Sequence, residues 1–249
     1  MSIRKCCISF VIALALSNAI HAQDSLKYST LSLGIGVNTV SNKDAFQSPY
    51  TYRGNNLLFN STFTRFRTKG QHTINLTYSG GQIKSNVSPK AGNKLLLFNY
   101  DYLFNLKTKS TNAKFMPSLG FGLHTLLSNT NYLTDVESPK SYLSGGAFFT
   151  WSGYILYHLN RKSGVRMHVG LPLVGLVYRP DFEVNGKMLT KTTLIGKGNL
   201  LSITLEYNYK LTPKLNFTAT YNYDYFTFDE PRPIIILQNG LSIGLRKTF

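Results

Sequence analysis

The chain has 249 residues and a formal net charge of +16, yet only 15% of its residues are charged, against roughly 25% in ordinary soluble domains. Hydrophobic residues make up 43% and aromatics 13%, with 16 Tyr and 16 Phe against one Trp. That composition argues against a disordered chain and against a bundle of membrane helices, and its length allows one large all-β domain.

The first 22 residues read as a cleaved secretory signal peptide: Arg4 and Lys5, an apolar stretch from about Cys6 to Leu16, then small and polar residues up to Ala22. The stretch is shorter than the roughly 20 apolar residues a membrane anchor needs. Both cysteines, Cys6 and Cys7, lie within it. A mature domain spanning 23–249 then has no disulfide, no catalytic thiol and no cysteine metal site.

Beyond Gln23 the dominant pattern is alternation with period two, the mark of strands with two different faces. It predicts about ten strands, over 28–40, 55–67, 71–83, 94–107, 114–128, 142–159, 164–179, 199–211, 214–227 and 234–249. Three segments carry it best. Leu96, Phe98, Tyr100, Tyr102, Phe104 and Leu106 alternate with Asn99, Asp101 and Asn105. Leu201, Ile203, Leu205, Tyr207, Tyr209 and Leu211 alternate with Ser202, Thr204, Glu206, Asn208 and Lys210. Leu215, Phe217, Ala219, Tyr221, Tyr223 and Tyr225 alternate with Asn216, Thr218, Thr220, Asn222 and Asp224.

The connections alternate too. Those at 41–54, 83–93, 129–141, 180–197 and 228–233 are long, and those at 68–70, 108–113, 160–163 and 212–213 are short. Long loops at one end and tight turns at the other are expected of an antiparallel up-and-down barrel that crosses a membrane. A soluble sandwich or lipocalin-like barrel would alternate as well, but its solvated face should carry many Lys and Glu. Here the polar face is mostly Asn, Thr, Ser and Gly.

The signal peptide, the alternating strands and the last strand together resemble Gram-negative outer-membrane β-barrel proteins. In that family a final strand with alternate hydrophobic residues and a closing Phe is an assembly signal, matched here by Leu241, Ile243, Leu245 and Phe249. Lys247 stands where a hydrophobic residue is usual. The resemblance implies the cell outer membrane as location, with outer-membrane lipids and the barrel assembly machinery as partners. It singles out no porin-like or other subfamily.

Sorted onto this topology, Arg65, Arg67, Lys69, Lys107, Lys109, Lys114, Arg161, Lys162, Arg166, Lys210, Lys214, Arg246 and Lys247 crowd the turn-side rim. The acids Asp44, Asp135, Glu137, Asp181, Glu183, Asp229 and Glu230 fall in the long loops. A basic rim suits anionic headgroups; an exported barrel without a basic helix does not suit nucleic acid. Phe104, Phe115, Tyr157, Tyr209, Phe217 and Phe249 are expected in the turn-side aromatic girdle, and Phe59, Phe98, Tyr223 and Tyr225 in the loop-side one.

The opposite parity supplies Asn60, Asn75, Asn99, Asp101, His124, His168, Glu206, Asn222, Asp224, Gln238 and Arg246 to the lumen. Buried charges need partners. An internal network of Asp101, Glu206, Asp224, Arg246 and His168 is therefore expected, with Glu206 and Asp224 as partners of Arg246. Some outer-membrane barrels are hydrolases, and the candidates for such a site are His124, Ser128 and Asp101. His124 and Ser128 are about 13 Å apart on one strand at roughly 3.3 Å per residue, too far for a direct pair, and no GxSxG motif is present. Two dispersed histidines lack metal-ligand spacing, and no cofactor is implied. The glycine pairs Gly80–Gly81 and Gly145–Gly146 read as relief of crowding or as bulges rather than as phosphate loops. The function expected is therefore non-enzymatic: a narrow channel, or a scaffold whose external loops bind a small molecule or a protein. A barrel hydrolase and an accessory subunit of an envelope secretion or transport complex are the alternatives.

Overall fold

The computed structural model describes residues 28–45, 48–67, 69–87, 90–106, 114–132, 141–180, 188–194, 197–230 and 232–249. The proposed signal peptide lies outside them, as do Lys107, Lys109, Asp135, Glu137, Asp181 and Glu183. The chain forms β1 (Ser29–Asp44), β2 (Tyr52–Phe66), β3 (Gly70–Ile83), β4 (Ala91–Asn105), β5 (Phe115–Tyr132), β6 (Ser141–His158), β7 (Ser163–Pro180), β8 (Met188–Leu194), β9 (Gly198–Thr212), β10 (Leu215–Phe228) and β11 (Ile234–Thr248). Every neighbouring pair is antiparallel. β1 pairs with both β2 and β11, and β6 pairs with β7, so the sheet closes on itself.

Eleven strands make ten staves. β8 lies against residues 174–180 of β7, and β9 lies against residues 163–170 of the same strand. The two run in the same direction and share one position in the wall. The segment 180–197, expected as loop, thus contains a strand, because β7 continues beyond the point where β9 leaves it and needs a partner for its backbone groups.

The predicted strands are all present, and several run farther at the loop end than alternation suggested: β1 reaches Asp44, β2 starts at Tyr52 and β5 reaches Tyr132. The longest strands have 18 residues, about 60 Å at about 3.3 Å per residue. Tilted by roughly 40°, such a strand outspans a hydrophobic band about 25 Å tall. The wall therefore projects past the membrane on the loop side.

The side chains record the boundary. On the turn-side part, Leu33, Ile35, Leu76, Phe121, Leu205, Leu241 and Ile243 face outward and are exposed. Inward at the same levels stand Thr62, Asn75, Asp101, Thr220 and Ser242. Nearer the loops the polarity reverses. Thr39, Arg53, Asn55, Lys94 and Asn131 face out, while Val40, Leu58, Leu95, Leu97, Leu126, Phe148, Leu200, Phe226, Ile234 and Ile236 face in, each at 0–2% exposure. The lower storey is built like a membrane barrel. The upper is built like a soluble one, apolar within and polar without over much of its circumference, though Leu143 and Leu176 stay exposed there.

Candidate functional site: a two-storey lumen

The upper storey is a packed core. Phe148 meets Phe226 edge-on, with ring centroids 6.1 Å apart at 68°. Its ring fills the space left by Gly146 on its own strand and Gly175 on β7, where any β-carbon would collide with it. Gly146 therefore makes room for a lumen side chain, in keeping with the relief of crowding expected of that glycine. A short polar chain is sealed inside: Asn42 Nδ2 and Asn93 Nδ2 donate to Thr130 Oγ1 at 2.9 and 3.1 Å, and Asn56 Nδ2 donates to Asn93 Oδ1 at 3.1 Å. At the loop-side mouth Arg179 Nη2 meets Asp44 Oδ1 at 2.5 Å. Arg179 Nη1 donates to the backbone carbonyl of Arg232 at 2.6 Å. Asp44 is thus the buried end of β1 rather than a loop acid.

Directly beneath lies a cluster that sequence spacing did not reveal. Asp101 on β4 stands opposite Gly122 on β5, and His124 stands opposite Asn99. A β-carbon at Gly122 would strike the Asp101 carboxylate, so the glycine lets that carboxylate lean across to His124. His124 Nε2 lies 3.0 Å from Asp101 Oδ1, and His168 Nε2 on β7 lies 3.4 Å from Oδ2. Ser152 on β6 also donates to Oδ1. The donor atoms of Asp101, His124 and His168 all lie within 4.8 Å of one another. The two histidines dispersed along the sequence are therefore neighbours inside the lumen, their strands separated only by β6, and both lie within ion-pair distance of one carboxylate.

Ser128 stays apart from this cluster. It stands opposite Leu95 and Ser144, its buried hydroxyl has no hydrogen-bond partner among the described residues, and it takes no part in a His124–Asp101 constellation. Ser152, the hydroxyl that does join the cluster, bonds to the carboxylate rather than to the imidazole. Its inward parity on 142–159 was the one signal available in the sequence.

Lower still is the charged floor. Arg246 on β11 grips Glu206 on β9 with both terminal nitrogens, Nη1 at 2.7 Å from Oε1 and Nη2 against Oε2, and Nη1 also meets Asn208 Oδ1 at 2.5 Å. Arg166 Nη1 approaches Glu206 Oε1 at 3.7 Å from β7, its strand placing it opposite Glu206 in register. Arg166, which the sequence placed in the basic turn-side rim, thus faces the lumen at that end of the barrel. Asp224 does not join Arg246. It stands opposite Gln238 on β11, whereas Arg246 stands opposite Asn216, eight residues farther down β10 and thus about 26 Å away along the strand. Asp224 instead accepts a hydrogen bond from Ser202 at 2.8 Å. An internal cavity of about 60 Å³ separates these groups and is bordered by Asp101, His168, Arg166, Glu206 and Arg246.

At the last strand, Leu241, Ile243 and Leu245 face the lipid at 50–58% exposure. Phe249 exchanges backbone hydrogen bonds with Ser29 at 2.9 and 3.3 Å, closing the ring at its turn-side end. Lys247 leans its ammonium toward the Phe249 ring, 5.2 Å from the centroid.

No protein-family model matches the chain, and no curated protein matches it in sequence. Among solved structures it is similar to the outer membrane protease OmpT from Escherichia coli, with 10% identity over 93% of this chain and 99% of that chain and a TM-score of 0.58. It also matches the translocator domain of the autotransporter NalP from Neisseria meningitidis, at 8% identity over 99% and 95% of the two chains with a TM-score of 0.48. A third match is the toluene transporter TodX of P. putida, at 8% identity over 90% and 91% with a TM-score of 0.33. At such identities the likeness is one of fold, and the similarity to OmpT carries it. With a closed ten-stave wall and an exposed apolar belt, the chain is by fold an outer-membrane β-barrel protein.

Proposed function

We propose that this barrel is a closed scaffold rather than a channel, and that its work is done by the projecting storey and the loops it carries, which bind a small molecule or a protein outside the membrane. The observation that supports this reading is the apolar filling of the loop-side lumen, from Leu95 and Leu97 across to Phe148, Leu200 and Phe226, all essentially without solvent exposure. A conducting path needs a continuous polar or at least wettable lining, and interiors packed with interlocking side chains leave no such path. A soluble-type core under the loops is instead what a binding platform needs, because rigid strands position loops better than a hollow rim does.

A hydrolase is less well supported. His124 and Asp101 form a hydrogen-bonded pair, but among the described residues no hydroxyl bonds to the imidazole to be activated, and both groups are buried beneath the apolar storey. The test is planar-bilayer recording on protein whose insertion has been verified by heat-modifiable gel migration. The expected record shows no unitary conductance steps. Regular steps from verified barrels would overturn the closed-scaffold reading.

A further inference from the structure

The turn-side mouth is unlike the sealed loop side. It opens into a vestibule of about 480 Å³ whose wall carries Arg67, Arg161, Lys162 and Lys210, all exposed, and whose inner end is formed by Arg166 and Asn208. No carboxylate lines it among the described residues.

The charges at its inner end do not balance. Arg166 and Arg246 both approach Glu206, and Glu206 is the one carboxylate paired with either among the described residues. Two guanidiniums thus share a single negative charge, with side-chain exposures of only 17% and 2%. Guanidinium does not shed its proton, so the surplus positive charge is permanent, and a buried charge without a counter-charge is costly. The hydrogen-bonding inventory leans the same way. Among the described residues, Arg166 Nε, Arg246 Nε and Asn208 Nδ2 are buried donors without a hydrogen-bond acceptor. Surplus charge, unfilled donors and an entrance lined with bases all call for an anion that offers several acceptor oxygens.

We propose that the turn-side vestibule is a binding site for a phosphate group, seated against Arg166 and Asn208 and screened by Lys162 and Lys210. Guanidinium presents a planar fork suited to two oxygens of a phosphate, whereas the lysines act as point charges. The site lies inside the mouth of the barrel rather than on its lipid-facing wall, which favours a soluble phosphorylated compound over a lipid headgroup. It goes beyond the closed-scaffold reading and does not depend on it, because the vestibule lies on the other side of the apolar storey from the loops.

The experiment is a titration of the refolded full barrel, in zwitterionic detergent, with inorganic phosphate at constant ionic strength, followed by calorimetry and by phosphorus NMR. Saturable binding is expected for the wild type, with chloride at equal ionic strength giving none. Arg166→Gln should weaken binding by about tenfold or more, the loss of a charge-assisted contact. Lys162→Gln and Lys210→Gln change exposed side chains that the fold does not need, and each should weaken binding by about threefold through lost screening. Phosphate that fails to saturate, or that binds equally to the wild type and all three variants, would overturn the proposal. Vesicle reconstitution separates the sources of phosphate. Competition by phosphatidylglycerol over phosphatidylcholine assigns the site to a headgroup; persistence of phosphate binding in both assigns it to a soluble ligand.

Discussion

The two storeys of the lumen solve one problem in opposite ways. Each must fill a tube about ten strands around with side chains from both walls. The upper uses Leu, Ile, Val and Phe at nearly complete burial, and the lower uses Asp101, Glu206, Arg166, Arg246 and a lining of Asn and Thr. The difference follows what lies outside. Where the outer face meets lipid, the outward positions take the hydrophobic residues and the polar groups are turned inward to satisfy one another. Where the outer face meets water, the hydrophobic effect regains its ordinary direction and gathers apolar groups inside. The level of the membrane boundary can therefore be read inside the barrel as well as on its surface.

The largest effect expected from breaking this contrast is at the floor. Arg246→Met alone should destabilise the folded barrel by about 3–5 kcal/mol, because it leaves Glu206 buried with only the more distant Arg166. Pairing it with Glu206→Met should recover much of that loss, since two apolar side chains of similar volume ask nothing of each other. Urea midpoints in detergent, read through the gel shift between folded and unfolded forms, would measure both. A double variant as unstable as the sum of the singles would show that the pair is not a unit.

A middle-sized effect should separate the two apolar surfaces. Leu126→Ala, in the upper core, opens a cavity that its packed neighbours cannot fill and should cost about 2–5 kcal/mol. Leu241→Ala, on the lipid face, should cost about 1–2 kcal/mol, because acyl chains flow into the space and only the lost transfer energy remains. The same midpoints measure the two. Equal costs would mean that the upper lumen is not a tightly packed core, and the contrast between storeys would lose its basis.

The smallest effect belongs to the loop end. Glu230 is held below its usual carboxylate range, first by a hydrogen bond from Lys191 and then by the charges of Lys191 and Lys197, with Lys191 Nζ 2.8 Å from Oε2. A carboxyl lowered in the folded state favours folding above its unfolded pKa, and that contribution disappears as pH falls through the folded value. Glu230→Gln should therefore leave an unfolding midpoint that is slightly less sensitive to acidification than the wild type, and the difference should fade in high salt. An unchanged pH profile would show that this exposed pair contributes nothing.

How much of this could be read in the sequence follows from the same contrast. Alternation marked the staves clearly wherever one parity was apolar and the other polar, as along Leu201–Leu211 and Leu215–Tyr225. It blurred at the loop ends, where the outward Ser41, Lys43 and Arg53 resemble loop residues because that part of the wall stands in water. The apolar storey left a trace in runs that break the alternation, Leu95–Leu97, Phe148–Phe149 and Ile234–Ile236, in which both faces of a strand are hydrophobic. The Asp101 cluster was legible only as inward parity. That Asp101 would meet His124 depends on the pairing of β4 with β5, and that His168 would arrive from β7 depends on ring closure. Neither register is written in a local pattern. Arg246 and Glu206 are two strands apart, so which acid Arg246 meets is also decided by register, and parity alone could not tell Glu206 from Asp224.

The clasp between Asp44 and Arg179 joins β1 to β7, elements separated along the wall in either direction by several staves. Along a closed tube, hydrogen bonds between adjacent strands resist stretching but do little against flattening, since a ring can turn oval without lengthening any of them. A contact that spans the bore acts as a strut. With Arg179 also fastened to the backbone just before β11, the mouth is braced across its width where the membrane no longer confines it. This ion pair thus helps hold the outline of the projecting storey from within, together with the Asn42–Thr130 hydrogen bond and the Phe148–Phe226 contact that also cross the bore.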